Sequence, residues 1–244
     1  MDDFIYDIRW SEDETEWRAS ARRELAIQLL ERFRSKPGKL SILDVGCGTG
    51  VLVRQLQSFG DAYGIDVSLK AVQYSRQRGS SSTAVGSAEE LCFTKGAFDL
   101  VTMIEVLEHL EDDRKALRDI RALMQPSGTL ILTVPAFQSL WSRRDVNLHH
   151  KRRYTIRELQ EKLIEGGFRP LFCTYIDSFL FLPLWLLASL TRFTRESRRL
   201  EMYAVSAPAP INALLLSVCR IERDIYTRMN LPFGVSIACV ARPV

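Results

Sequence analysis

The 244-residue chain holds three histidines, His109, His149 and His150. Imidazole is the side chain suited to moving a proton near neutral pH. His109 closes the run "EVLEH", which puts Glu105, Glu108 and His109 within one turn, and His149 and His150 open the run "HHKRRY". Two chemistries are open to this set. His109, His150 or His149 can act as a base on a hydroxyl, with Tyr154 as a hydrogen-bonding neighbour. Alternatively, Glu105, Glu108, His109 and His150 make an O/N ligand set for Mg²⁺, Mn²⁺ or Zn²⁺. Adjacent side chains diverge, so one of His149 and His150 is expected to be structural.

A second group surrounds the stretch "ILDVGCGTG", residues 42–50. Gly46, Gly48 and Gly50 alternate around Cys47 and permit a sharp turn with close backbone approach to a ligand. A dinucleotide loop would place its third glycine five residues after the first. A phosphate loop would need Gly-Lys-Ser/Thr, which is absent. Asp44 at the entrance repels phosphate and favours a cation. Asp66, followed by Val67, ends the next strand in "YGIDVS", where a carboxylate can accept both hydroxyls of a ribose. S-adenosylmethionine fits this pattern, with an ammonium, a sulfonium, a ribose and no phosphate.

The apolar runs 40–45, 61–65, 98–104 and 129–134 predict buried strands, and 82–86 a weaker one. Helical spacing predicts helices over 12–35, 50–59, 68–78, 111–124 and 155–166. Strands are also predicted at 168–176 and 235–242. Such alternation implies a parallel sheet covered on both faces. All three histidines then fall at the carboxyl edge of the sheet or in the loops beyond it, where open α/β sheets bind ligands. The organisation expected is an N-terminal helical cap (1–38), a main domain (39–176 and 234–244) and a helical insertion (177–233) over the active-site edge.

On these motifs the sequence resembles the class I S-adenosylmethionine-dependent methyltransferases, from about residue 40 to 135 and more loosely to 170 and over 235–242. The resemblance implies an α/β, Rossmann-like doubly wound sheet of strand order 3-2-1-4-5-7-6 with strand 7 antiparallel. "GSAEELCF" (86–93) is similar to the family's adenine loop, although Ser87 stands where Asp is usual and Cys92 where Pro is usual. The carboxylate that would meet the adenine amino group is therefore missing, and the Ala88 and Glu89 backbone is expected to recognise the base. Glu105 would contact the cofactor through its backbone. "EVLEH" with a later His also resembles the metal site of ubiquinone-biosynthesis and small-RNA 3′-end O-methyltransferases, though metal-free relatives carry a similar run. "HHKRRYT" resembles methyltransferases encoded beside surface-glycan enzymes.

The net charge of +3 excludes a global field for nucleic acid. An RNA substrate would need an extended basic face with stacking aromatics. The basic residues instead form one cluster, Arg143, Arg144, Lys151, Arg152, Arg153 and Arg157, which suits an anionic acceptor. Five scattered cysteines predict free thiols in a reducing cytoplasm, and the acidic N-terminus lacks the apolar core of a signal peptide. In the insertion, "FLFLPLWLLASL" (179–190) is too short to span a bilayer. It is either a core helix covering the sheet or an interfacial helix. In the second case Phe181, Leu184 and Trp185 would enter the acyl boundary, and Arg192, Arg195, Arg198 and Arg199 would meet anionic headgroups at the inner membrane face. The sequence thus predicts methyl transfer, most readily to oxygen, on a small or lipid-linked anionic acceptor, with a divalent metal open but not favoured. Its rivals are a metal-dependent O-methyltransferase acting on a quinone precursor or an RNA 3′ end, and a non-catalytic cofactor-binding membrane adaptor.

Overall fold

The computed structural model describes residues 6–7, 10, 12–191, 207–226 and 230–244. Strands β1 (Leu40–Val45), β2 (Gly60–Asp66), β3 (Thr83–Val85), β4 (Phe98–Ile104) and β5 (Met124–Pro135) are parallel. β7 (Ser236–Pro243) lies between β5 and β6 (Phe168–Ile176) and runs antiparallel to both. The seven strands form one sheet in the order β3-β2-β1-β4-β5-β7-β6, as the resemblance implied. Eight described helices accompany it: α1 (Trp17–Phe33), α2 (Val51–Leu56), α3 (Leu69–Gln77), α4 (Asp113–Leu123), α5 (Arg143–Asn147), α6 (Ile156–Glu165), α7 (Phe181–Thr191) and α8 (Ala209–Tyr226).

β1 and β4 are apolar on both faces because both faces are covered. On one side Leu25, Leu29 and Leu30 of α1 and Leu52, Val53 and Leu56 of α2 pack with Ile42, Leu100, Ile131 and Val240. On the other side Ala116, Leu117 and Ile120 of α4 and Leu159 and Leu163 of α6 pack with Leu43, Val101, Leu132 and Cys239. Helix ends differ from the periodicity where a cap decides. The helix predicted from residue 12 starts at Trp17, since the Glu16 carboxylate accepts from Ala19 N at 2.7 Å. The helix predicted over 50–59 is shortened to Val51–Leu56. The strand predicted at 129–134 is the inner part of β5, which begins at Met124 with a register shift against β4.

Two expectations about cysteine and the insertion need correction. Cys173 and Cys239 are cross-strand partners on β6 and β7, 4.2 Å apart at Cα, and are joined in a disulfide; only Cys47, Cys92 and Cys219 are free. Strand register brings together two residues 66 apart in sequence, which spacing alone does not show. α7 is no core helix, because Leu182, Trp185 and Leu186 are 59%, 40% and 47% exposed. Arg192, Arg195, Arg198 and Arg199 lie outside the described residues. Among the described residues no helix is long and apolar enough to cross a membrane.

One buried cation ties these parts together. Arg22 of α1 gives Nη2 to Asp177 Oδ2 at 2.6 Å and to Ser236 Oγ at 3.0 Å, and Nε to Glu105 Oε1 at 3.3 Å. Asp177 ends β6 in the left-handed region at φ +58°, and its N–H and that of Ser178 donate to Glu222 of α8. Burial opposes the charge on Arg22, but Asp177 and then Glu105 hold it protonated. Arg22→Met should leave the buried carboxylate of Asp177 uncompensated and cost about 3–5 kcal/mol of stability, read as a lowered urea midpoint. An unchanged midpoint would mean that the ends of β4, β6 and β7 hold together without it.

Candidate active site

At the end of β1 the chain turns through Gly46, Cys47, Gly48, Thr49 and Gly50 into α2. A Cβ at Gly50 (φ +78°) would lie 1.9 Å from Ser75 Oγ, so this glycine lets α3 approach. A Cβ at Gly48 (φ +53°) would meet nothing within 4 Å, so this stretch of backbone faces open space. Asp66 at the end of β2 accepts from Gly48 N at 2.9 Å, Ser68 N at 3.0 Å and the Tyr6 hydroxyl at 3.1 Å. Asp44 is buried and accepts the Thr102 hydroxyl at 2.6 Å. Burial pushes its pKa up to about 7, against the Thr102 hydrogen bond. Cys47 is buried beside these carboxylates, and burial pushes its thiol pKa far up.

The loop after β3 lies close by, since Gly86 N donates to the Asp66 carbonyl at 3.0 Å. Ser87 Oγ accepts from Glu89 N at 3.1 Å, and Ala88 is buried. The Glu89 carboxylate caps Glu111 N at 2.9 Å, and the Glu89 carbonyl accepts from Lys115 Nζ at 3.0 Å, so both backbone groups of Glu89 are already engaged. Val67 is exposed beyond Asp66. The cofactor residues expected from the sequence therefore gather around one turn, with Tyr6 added from the N-terminal segment.

The second group sits where β4 ends. The short turn Leu107–His109 buries Glu108 completely, and neither of its carboxylate oxygens has a hydrogen-bond partner. Burial, and then Glu105, raise its pKa well above the carboxylate range. Ligand atoms of Glu108, His109 and His150 lie within 4.8 Å of one another. His150 Nδ1 is 2.9 Å from Asp145 Oδ1, and its Nε2 is 4.0 Å from Glu108 Oε1. Asp145 is gripped by Arg153, Nε to Oδ1 at 2.8 Å and Nη2 to Oδ2 at 3.0 Å. Burial alone would raise the Asp145 pKa, but hydrogen bonds from His150 and Arg153 bring it down to about 2. An ionised Asp145 thus fixes one ring nitrogen of His150 and leaves Nε2 towards Glu108. Burial and the neighbouring His150 lower the His109 pKa to about 4.

Four expectations fail on this geometry. Glu105 has φ +57°, which breaks the single turn expected of "EVLEH" and directs its carboxylate to Arg22 rather than into the cluster. His149 is exposed and meets His109 through its backbone, so the histidine pair is His109 and His150. Tyr154 is buried and its hydroxyl already donates to Asp113 Oδ2 at 2.9 Å. Most of the basic cluster is paired: Arg152 with Asp113, Arg153 with Asp145, Lys151 with Glu111 and Arg157 with Glu161. Sequence reasoning also missed Tyr6, Arg22 and Asp145. Asp145 stands in "SRRD", which forms a capping box with Ser142 and reads as a helix start. Arg22 was visible only as a charge on the apolar stripe of α1.

A methyltransferase-domain family model matches residues 43–132. The ubiquinone biosynthesis O-methyltransferase of Bordetella avium is 31% identical over 128 residues, 49% of this chain and 53% of that protein. An uncharacterized 37.1 kDa protein of a Streptomyces fradiae transposon is 30% identical over 155 residues, 60% of this chain and 44% of that protein. The chain spans about half the length of these curated relatives. In three dimensions it is similar to a solved Haloferax volcanii complex of a methyltransferase with its Trm112 activator. The TM-score is 0.62 at 18% identity, covering 96% of this chain and 92% of that one.

Glu108 and His109 make opposite demands on pH. The folded chain favours protonated Glu108, so its burial weakens folding as pH rises above the ordinary value of 4.5. Folding holds His109 neutral, so its contribution is present above the ordinary 6.5 and is lost as pH falls from there to about 4. Glu108→Gln keeps the shape and removes the charge. It should raise the unfolding free energy by about 1–3 kcal/mol at pH 8 and change little at pH 4, as urea titrations at the two pH values would read. A loss of stability at pH 8 would show that the carboxylate has a stabilising partner.

Proposed function

We propose that this chain, whose residues 43–132 match a methyltransferase-domain family model, is an S-adenosylmethionine-dependent enzyme that methylates an oxygen acceptor held at Glu108, His109 and His150. The observation that carries the reading is the convergence of these three groups at the turn that follows Val106, whose side chain lies against Gly46. Bound S-adenosylmethionine supplies a methyl group activated on a sulfonium. The residues present fit it: the open backbone at Gly48 gives room, Asp66 would accept from the ribose hydroxyls, and the backbone of buried Ala88 would take the base. Asp44, buried with a single hydroxyl donor, suits the cationic amino end.

Alignment provides most of the rate in such a displacement. An oxygen acceptor must also lose its proton. His150 is the group placed for this, because Asp145 orients the ring and stabilises the imidazolium that forms at Nε2. His109, with a pKa of about 4, stays neutral and is a weaker base. The O-methyltransferase name of the Bordetella relative supports oxygen as the acceptor atom. A small-molecule acceptor is favoured over RNA, since most of the basic cluster is already paired with carboxylates.

A second reading is favoured by the two orphaned oxygens of Glu108. A buried carboxylate between two imidazoles is a donor set for a divalent cation, and His109 is neutral as a ligand must be. Glu108, His109 and His150 would hold the ion, with Asp145 orienting His150 from behind. A cation there lowers the pKa of a bound hydroxyl.

Two outcomes test these statements. Protonation of Asp44 competes with a cationic ligand, so S-adenosylmethionine affinity should be flat above pH 7 and fall up to about tenfold per pH unit below it. Asp66→Ala should cost about 1.5–3 kcal/mol of affinity at any pH. Calorimetry that finds neither effect removes the cofactor assignment. His150→Ala should lower turnover by roughly 10²–10⁴ while cofactor affinity holds. Chelation of the wild type separates the readings: activity lost and restored by Mg²⁺, Mn²⁺ or Zn²⁺ selects the cation, and unchanged activity selects His150 as the base.

A further inference from the structure

Phe137 follows β5 with φ +53°, a left-handed conformation unfavourable for a bulky side chain. The strain puts its ring in stacking contact with Tyr175, 4.7 Å between centroids, and edge-on to Phe181 of α7 at 5.5 Å. Phe181 lies 5.4 Å from Phe233, which is 45% exposed. This aromatic group is built on the loop that places the base. Phe137 N donates to the Tyr154 carbonyl at 2.8 Å. The Ala136 carbonyl accepts from Arg153 Nη1 at 3.0 Å, and Arg153 grips Asp145 behind His150.

From there α7 leads away from the site. Trp185 is one turn beyond Phe181 and therefore on the same face, and Leu182 and Leu186 are likewise one turn apart beside it. Residues Phe181–Thr191, "FLPLWLLASLT", contain no charged side chain. Leu182, Trp185 and Leu186 are exposed, so apolar side chains lead from the half-buried Phe137–Phe181 platform to solvent. A second copy of the chain is a poor match for it. A standard interface covers about 800 Å² per partner, more than these few side chains offer.

We infer that the acceptor carries a hydrocarbon chain, which lies on the track Phe137–Phe181–Trp185 and its flank Leu182–Leu186 while the hydroxyl sits at His150. This rests on the methyl-transfer reading for the position of the hydroxyl, and it adds the substrate class, an amphipathic or lipid-linked acceptor.

The probe is dansyl-undecanoate, with dansylglycine as a short control bearing the same fluorophore and carboxylate. Binding is read by fluorescence without cofactor, and cofactor binding is measured separately by calorimetry. The long probe should bind at least about tenfold more tightly than the short one. Leu182→Ser/Trp185→Ser/Leu186→Ser should lose at least about tenfold for the long probe with an unchanged thermal melt, because all three side chains are exposed. If that variant melts early, Trp185→Ser alone must still lower the chain-length preference. Equal affinity for both probes, or a variant that binds like wild type, overturns the inference. So does a dimer that the triple variant dissociates, or binding confined to phosphatidylglycerol vesicles with no preference between the monomeric probes. Loss of the chain-length effect with intact cofactor binding rejects the track and leaves the methyl-transfer reading standing.

Discussion

The guanidinium of Arg22 reaches from α1 into the gap between the ends of β4 and β6 and meets Glu105, Asp177 and Ser236 there. Each is the first or last residue of a strand or follows one directly, so the contacts set how far the three strands extend before their loops begin. Those loops carry the candidate chemistry. Glu105 leads into the Glu108–His109 turn, Asp177 into α7, and Ser236 pairs with Pro135 beside Phe137. A buried cation with carboxylates on two sides has a narrow range of acceptable positions, and that narrowness passes into the site.

The acidic residues near the site take different roles because their surroundings differ. Asp145 has Arg153 and His150 and stays ionised. Asp66 is held by two backbone N–H groups and a phenol. Burial and a single hydroxyl raise the Asp44 pKa to about 7, and neither carboxylate oxygen of Glu108 has a hydrogen-bond partner. The series runs from satisfied to unsatisfied towards the positions where a ligand's positive charge or an acceptor's proton would arrive. Separating the titration of neighbouring groups by their environment is how one site carries both acid and base roles.

The parts of this arrangement legible in the sequence are those fixed within a few residues. The glycine turn follows from Gly46, Gly48 and Gly50 and Asp66 from its place at a strand end, while the sheet order was implied by the family resemblance that these motifs carry. The parts that were not legible depend on what packs from a distance. Glu105 sits one turn before His109 in sequence, yet a left-handed backbone and an arginine 83 residues away turn it aside. Tyr154 looks available in "HHKRRYT" until Asp113, 41 residues earlier, takes its hydroxyl. Much of the basic cluster is neutralised in the same way, because Arg152 and Lys151 meet Asp113 and Glu111 from beyond β4 and Arg153 meets Asp145 of α5. Cys173 and Cys239 are related only by the register of two strands.

The position of β7 bears on how the chain acquires its shape. Among the described residues β6 has β7 as its one sheet neighbour, and β7 is separated from it in sequence by all of α7, α8 and the residues between. During synthesis β1 to β5 can pair as each emerges, while β6 must wait with its backbone groups unsatisfied until the last strand is made. Closing so long a connection is a slow, non-local step. The strand that then enters between β5 and β6 brings Ser236 to Arg22 and covers the edge of β5. The loops around His150 therefore reach their final form only when the sheet is complete, and a nascent chain lacking β7 exposes two open strand edges to its neighbours.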